Sequence, residues 1–325
     1  MCYVSVDGLD RGLVVPPPIA ELVEVVEEVR LCHRRGSAAL EAALPDLGLR
    51  PLAGGRNNQV FAWSGPDGEV CLKLYRTDKR DRAACEYRAL VHVTACGVAA
   101  TPEPLWHDPD PELPAVAMTM VGGRPVSGLA EPTAALRTAA PLLGQLREIP
   151  LGPFAGMPRI DPAAHHVKRI TEVWPAQLEE CDNEPLTADM WSLLGAWDQR
   201  SDAAVLDESA PRVFSRGDSN LLNWLWDEPN IYLVDWEFAG YSDTAYDAAE
   251  LVEHLSAHAI DDRLWISLLP DLGIVDVATS RRFLAAQRTV ALRWLSVLWK
   301  QRNERVDEFE FQFRRVRMLM NSDFL

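Results

Sequence analysis

The sequence predicts an α+β fold in two lobes: a small first lobe built on five antiparallel strands with a helix, and a larger, mainly helical second lobe. Three observations carry that prediction. Strand-like runs rich in β-branched and apolar residues crowd between about residues 50 and 121. From Glu131 onward, apolar residues recur at helical spacing. One strand pair, 221–226 with 231–235, interrupts that helical half. A chain of 325 residues can bury a large core and divide into two such parts.

The elements follow in order. Val14 to Pro18 is a stiff lead-in to a helix over Ile19 to Arg35, with Leu22, Val26, Val29 and Cys32 near one face and Gly36 as its stop. A short helix, Ser37 to Leu44, precedes the first strand. Pro51 to Trp63 reads as strand, tight loop, strand, and Gly65-Pro66-Asp67-Gly68 as a turn. Glu69 to Tyr75 is the third strand. An amphipathic helix over Asp78 to Ala95 carries Ala84, Tyr87, Val91 and Thr94 at helical spacing. Pro102 to Trp106 and Ala115 to Val121 complete the five strands. Met120-Val121-Gly122-Gly123 is the natural boundary, dividing the chain into 1–121 and 122–325. Helices are predicted over 131–147, 162–181, 187–206, 243–258, 261–269, 279–302 and 305–320, with Pro150 to Pro162 a loop-rich bridge.

Composition narrows the function. Hydrophobic content of 48% and charged content of 25% describe an ordinary globule. The net charge of −16 argues against nucleic acid, whose phosphates need a basic face; it fits a cationic small-molecule acceptor and equally a surface charged for solubility. The six cysteines show no Cys-x-x-Cys and no regular framework, as in a reducing compartment. Met1 to Pro18 lacks a basic-then-apolar pattern, and no run of about 18 apolar residues occurs, so the expectation is a cytoplasmic protein without a membrane span.

The chemistry concentrates in Arg216-Gly217-Asp218-Ser219-Asn220-Leu221-Leu222-Asn223 and Ile231-Tyr232-Leu233-Val234-Asp235-Trp236-Glu237. Around the turn Asp227-Glu228-Pro229-Asn230 these segments fold as a hairpin with Asn223 and Asp235 near its open ends. Asp218 lies on the entering loop. Phosphoryl transfer needs such a set: one carboxylate to orient the acceptor hydroxyl, and two hard oxygen ligands to hold Mg²⁺ against nucleotide phosphates.

At these residues the chain resembles the aminoglycoside phosphotransferase and choline kinase family, which has a protein-kinase-like fold. The family pattern is His-Gly-Asp, four residues, then Asn, followed by a strand ending in Asp-hydrophobic-Glu. Gly217, Asp218, Asn223, Asp235 and Glu237 match it, and Phe238 to Asp243 with Tyr246-Asp247 continue it. The resemblance implies ATP, or GTP, as phosphoryl donor, with Mg²⁺ on Asn223 and Asp235 and Asp218 as the catalytic group. It implies that Lys73, held by Glu86, pairs with the α/β-phosphates, that Gly54, Gly55, Asn57 and Asn58 cover the phosphates, and that the base lies between the lobes against Met118, Thr119, Met120 and Val121. It implies Asp247 as a brace of the catalytic loop. Trp236, Glu237, Tyr241 and Asp243, with Glu250 and Glu253, are candidates for holding a cationic or polyhydroxylated acceptor such as an aminosugar or amino alcohol.

The chain departs from the family pattern in three places. Arg216 stands for the histidine, Leu221-Leu222 for the usual Pro-Gly, and Gly54-Gly55 for a longer glycine-rich motif. The alternative to a small-molecule kinase is therefore a pseudokinase that binds nucleotide or a partner without turnover. Glu250-x3-His254-x3-His258 would place three possible zinc ligands on one helical face, but no fourth ligand is identifiable and the segment reads as ordinary helix surface.

Overall fold

The computed structural model describes residues 17–52, 58–66, 68–181 and 184–321. The chain divides into two compact units, residues 1–87 with 103–120 and residues 88–102 with 121–325.

The first unit holds helices α1 (Pro17–Arg35) and α2 (Ser37–Ala43) and strands β1 (Leu49–Pro51), β2 (Gln59–Gly65), β3 (Gly68–Leu74), β4 (Pro104–Asp108) and β5 (Ala115–Thr119). The strands form one antiparallel sheet in the order β1-β2-β3-β5-β4. The face of α1 bearing Leu22, Val26, Val29 and Cys32 packs with Phe61 and Trp63 of β2 and with Leu72 and Leu74 of β3. Arg30 of the same helix is buried, where it donates to the Leu113 carbonyl at 3.0 Å and pairs with Asp108 at 2.7 Å.

Helix α3 (Arg82–Ala95) begins four residues later than its periodicity suggests. Asp78 accepts from the Arg80 N–H and the Arg82 guanidinium, and Asp81 has φ 48, so a side-chain-held turn competes with the first helical turn. Strand β5 stops at Thr119 instead of Val121. The Thr119 N–H and hydroxyl oxygen are both bonded to the backbone of Glu103, and Gly122-Gly123 follow.

The second unit is mainly helical: α4 (Thr133–Glu148), α5 (Ala163–Lys168), α6 (Trp174–Glu179), α7 (Thr187–Asp198), α8 (Asp202–Asp207), α9 (Thr244–Glu253), α10 (Asp262–Leu268), α11 (Val277–Trp299) and α12 (Val306–Asn321). Trp174 of α6, Trp197 of α7, Leu292, Leu295 and Trp299 of α11, and Phe309 and Val316 of α12 share one core. Two of the long predicted helices are broken. Pro175 has no N–H and its ring crowds the preceding turn, and a π-helical turn, Arg169–Val173, separates α5 from α6. Ser201, at φ 58, separates α7 from α8.

More strand is present here than the sequence reading predicts. β8 (Trp224–Asp227) and β9 (Asn230–Leu233) form the hairpin, and β6 (Arg124–Pro125) adds a third strand beside β8. β7 (Val213–Ser215) pairs antiparallel with β10 (Gly240–Ser242). These additions are too short to show a period, and only the partner strand makes them strands. No helix among the described residues is long and apolar enough to cross a membrane.

Candidate active site

In the second unit the hairpin does what its sequence requires. Asn223 ends a 3-10 turn, Leu221–Asn223, that leads into β8, and Val234 follows β9, where its N–H bonds the Asn223 carbonyl at 3.0 Å. The Asn223 amide nitrogen donates to Asp218 at 2.6 Å and to Asp235 at 3.3 Å. Three polar groups distant in sequence are thereby gathered. Because the amide spends its N–H groups on the two carboxylates, its oxygen is turned away from them as a hard acceptor.

The loop that carries Asp218 is held at every step. The other Asp218 oxygen accepts from the Asn220 N–H at 3.0 Å. Asn220 in turn caps the 3-10 turn, its side chain accepting from the Leu222 N–H at 3.0 Å. That cap supplies a tight turn where the family pattern has Pro-Gly. Leu221 is fully buried, while Leu222 is exposed. Arg216 is 5% exposed and donates to the carbonyls of Val234, at 2.7 Å, Asp235 and Asp218. It ties the loop carrying Asp218 to the strand end that bears Asp235. Asp235 itself has φ 66, a conformation few non-glycine residues adopt, and such outliers cluster where geometry serves function. Gly217, at φ 81, has no room for a side chain: a Cβ would lie 2.5 Å from the Phe238 carbonyl carbon and closer to its oxygen.

Asp247 reaches the loop through an intermediary that sequence reasoning missed. Arg159, 2% exposed, donates to Asp247 at 2.8 Å, to the Gly217 carbonyl at 2.6 Å and to Glu250. Burial works against the Arg159 cation, but Glu250 and Asp247 outweigh it and hold the guanidinium charged. Burial pushes the Glu250 carboxyl upward against the pull of Arg159. The network continues through Tyr246, whose hydroxyl donates to the Asp161 carbonyl at 2.8 Å and lies 2.8 Å from His166 Nδ1. Burial, then the charges of Arg293 and Arg159, keep His166 well below its ordinary pKa. A signal for this cation was present. Asp247 and Glu250 sit one turn apart on a helix otherwise lined by Ala248, Ala249, Leu251 and Val252, so a buried positive partner was required.

Several candidates for the acceptor have other duties. Trp236 is fully buried, stacked on Phe214, with its indole N–H on the Leu233 carbonyl at 2.9 Å, so it offers no open ring face. Tyr241 is half-buried beneath the Arg212 guanidinium. Asp243 caps α9 and pairs with Arg282 at 2.9 Å. Glu250 is neutralised by Arg159, and Glu253 by Arg315 at 2.6 Å. Glu237 is 2% exposed. Carboxylates drawn into the interior by guanidinium partners cannot form the open acidic wall that their spacing suggested. Helix α9 also ends at Glu253, and His254 leaves it to cap the next turn, its Nδ1 accepting from the Ser256 N–H at 3.1 Å. Glu250, His254 and His258 therefore do not share one helical face. Ser256 accepts the Leu221 N–H at 2.8 Å, which joins this turn to the loop carrying Asp218. Beside it, a cavity of about 250 Å³ is lined by Glu253, His258, Asp261, Asp262, Trp265, Phe311 and Arg315.

In the first unit, Lys73 is 6% exposed on β3 and its ammonium lies 2.6 Å from the carboxylate of Glu86 on α3, which is 1% exposed. The Tyr75 hydroxyl donates to the same oxygen. Cys71 shares their side of β3; burial, then the Glu86 charge, push its thiol up to about 12, so it stays protonated. Met118 and Thr119 lie within the β5 ladder, and the Thr119 N–H is taken by Glu103, whereas Met120 and Val121 lie beyond the ladder. Asn58 immediately precedes β2; Gly54, Gly55 and Asn57 lie outside the described residues.

A family model described as "Phosphotransferase enzyme family" matches residues 48–305. Among solved structures, a thermostable mutant of the aminoglycoside phosphotransferase APH(4)-Ia, in ternary complex with AMP-PNP and hygromycin B, is 16% identical with a TM-score of 0.61, covering 84% of this chain and 93% of that one. A choline/ethanolamine kinase family protein from Mesorhizobium loti is 18% identical at 0.58, covering 87% and 92%. Spectinomycin phosphotransferase APH(9)-Ia, in complex with ADP and spectinomycin, is 13% identical at 0.57, covering 85% and 93%. At these identities the likeness speaks to the fold, which is protein-kinase-like. No curated protein sequence matches the chain.

Proposed function

The chain belongs to the phosphotransferase enzyme family and is a phosphotransferase with an alcohol group as acceptor; from that premise we propose that it moves the γ-phosphoryl group of ATP to a hydroxyl of a small cationic or polyhydroxylated acceptor. The observation that carries this reading is the meeting of Asp218, Asn223 and Asp235, joined by the Asn223 amide at 2.6 and 3.3 Å. A carboxylate and an amide oxygen are the hard donors that Mg²⁺ takes, and with the metal bound the Asn223 amide would turn its oxygen, in place of its NH₂, toward Asp235.

Asn223 and Asp235 would hold the metal, which when bound supplies charge neutralisation at the phosphates. Asp218 takes up the acceptor's hydroxyl proton as the acceptor oxygen bonds to γ-phosphorus and the bond from that phosphorus to the β-phosphate oxygen breaks, releasing ADP. Lys73, held by Glu86, sets a fixed positive charge against the α/β-phosphate oxygens. Phosphoryl transfer asks little more of a protein than positioning and charge. The Arg216 bonds and the Asn220-capped turn support turnover over the alternative of a module that only binds, because both replace absent family residues with ordered contacts.

For the acceptor we favour the cavity at the 254–258 turn, which the bond from the Leu221 N–H to Ser256 at 2.8 Å joins to the loop carrying Asp218. There Glu253, buried, and Asp262 share the single guanidinium of Arg315 at 2.6 and 2.7 Å, Asp261 adds a further carboxylate, and Phe311 offers the ring face that His258 does not stack on. That balance suits an amine or an aminosugar.

The test is ADP release with Mg²⁺ present, across aminoglycosides, choline, other amino alcohols and sugars, for wild type and Asp218→Asn. An acceptor-dependent rate that falls about 10²–10⁴-fold in the variant supports the reading. Wild-type-like turnover by Asp218→Asn sinks the assignment, and efficient phosphorylation of an anionic acceptor in preference to amines sinks the charge argument.

A further inference from the structure

We propose that Arg159 and Arg216 act as paired positioning residues that lock the two peptide planes on either side of the Asp218 Cα. Arg159 donates to the Gly217 carbonyl at 2.6 Å, and Arg216 donates to the Asp218 carbonyl. Those two carbonyls belong to the peptide units immediately before and after the Asp218 Cα. Two dihedrals orient everything beyond that atom, and each plane is gripped by a rigid, permanently charged fork.

Each fork is anchored elsewhere. Arg216 is tied to the strand end carrying Asp235, through the Val234 carbonyl at 2.7 Å. Arg159 is tied to α9 through Asp247 at 2.8 Å and through Glu250. Its own backbone is fixed as well. The Arg159 N–H bonds the Tyr241 carbonyl at 3.0 Å, and the Tyr241 N–H bonds the Met157 carbonyl at 2.8 Å. Gly240 permits that approach, since a Cβ there would lie 2.5 Å from the Pro158 carbonyl carbon and 2.7 Å from the Arg159 Cα. The guanidinium is thus delivered from a clamped backbone to a clamped loop. A lysine could keep the charge, but a single ammonium cannot span the helix carboxylates and the loop carbonyl in one plane.

The proposal rests on Asp218 as the proton acceptor, so its test pairs turnover with a readout that does not need turnover. Arg159→Lys and Arg216→Lys retain the buried charge. Three measurements are made on the full chain: Mg²⁺-dependent ADP release, Mg²⁺-dependent AMP-PNP affinity by calorimetry, and amide hydrogen exchange of the segment 216–223. Arg159→Lys is expected to lower kcat by about 10²-fold, as a misplacement near 1 Å does, to leave AMP-PNP affinity unchanged, and to speed exchange in the segment. Arg216→Lys is expected to lower kcat and also weaken Mg²⁺-dependent affinity, because it alone of the pair holds the carbonyls beside Asp235. In Arg159→Ala, added guanidinium ion should restore turnover, while the same ion should do nothing for Asp218→Asn. If Arg159→Ala does not fold, Arg159→Lys decides. Wild-type kcat and wild-type exchange in Arg159→Lys overturn the proposal. A wild-type chain that shows no acceptor-dependent turnover with any of the compounds refutes the kinase reading instead, and the clamp then stands or falls on the exchange of 216–223 alone.

Discussion

Replacing Gly217 by alanine adds one methyl group at the most confined point of the catalytic loop. The residue has φ 81, and the new Cβ would meet backbone, with the Phe238 carbonyl carbon at 2.5 Å and the Phe238 Cβ at 3.0 Å. A left-handed alanine costs about 1–2 kcal/mol. Overlap with atoms that cannot rotate away costs about 1–3 kcal/mol more, as the loop or the segment after Trp236 shifts. The sum, about 2–5 kcal/mol, is a large part of the roughly 5–15 kcal/mol that holds a typical domain. Any relief comes by moving Gly217 off Phe238, which carries Asp218 with it, so the strain reappears as lost turnover of about 10²-fold. The assay is a melting curve and Mg²⁺-dependent ADP release on one preparation, with Gly128→Ala as control. Nothing lies within 4 Å of a Cβ at Gly128, so that variant should melt at or above the wild-type temperature. If Gly217→Ala melts and turns over like wild type, the argument from the Phe238 contact is wrong.

Asp235→Ala should abolish Mg²⁺-dependent AMP-PNP binding and Asn223→Ala should weaken it, by calorimetry with and without the metal; normal binding by Asp235→Ala would put the metal elsewhere. Lys73→Ala should raise the ATP KM or lower kcat and also destabilise the fold by about 3–5 kcal/mol, because Glu86 loses its ammonium partner in the interior. Adding Glu86→Gln should recover stability without recovering turnover, which separates the two roles. His254 should make stability depend on pH. Burial, then the charges of Arg293 and Arg216, lower its pKa from 6.5 to about 3, so the unfolded chain takes up that proton first. Its contribution is complete above pH 6.5 and is lost as pH falls toward 3. The melting temperature of wild type should therefore drop more steeply over that window than that of His254→Asn; parallel curves would refute the assignment.

Much of the fold was legible because long elements repeat their signal. Helix α1 shows its buried stripe, Leu22, Val26, Val29 and Cys32, in one dimension, and the hairpin announces itself by a turn between two apolar runs. The short strands β6, β7 and β10 carry no such repeat. Helix ends were set by local competition: the Asp78 turn delays α3, and Pro175 lies where the predicted 162–181 helix divides.

At the site, the sequence by itself determined which groups are available. Asp218, Asn223 and Asp235 are brought together by a hairpin whose register is local, and Lys73 and Glu86 stand on adjacent elements, so short-range order suffices to name them. Only the tertiary structure decided which charges remain open to a ligand. Glu250 and Glu253 looked like a surface of negative charge, yet each is drawn inward by an arginine 91 or 62 residues away in the chain, and Trp236, the expected ring face, is sealed against Phe214. The same long-range pairing placed Arg159, from a bridge of loop, against the carbonyl of Gly217. A buried charge is stable only beside its counter-charge, and that partner can come from anywhere in the chain, so no window of sequence contains the answer.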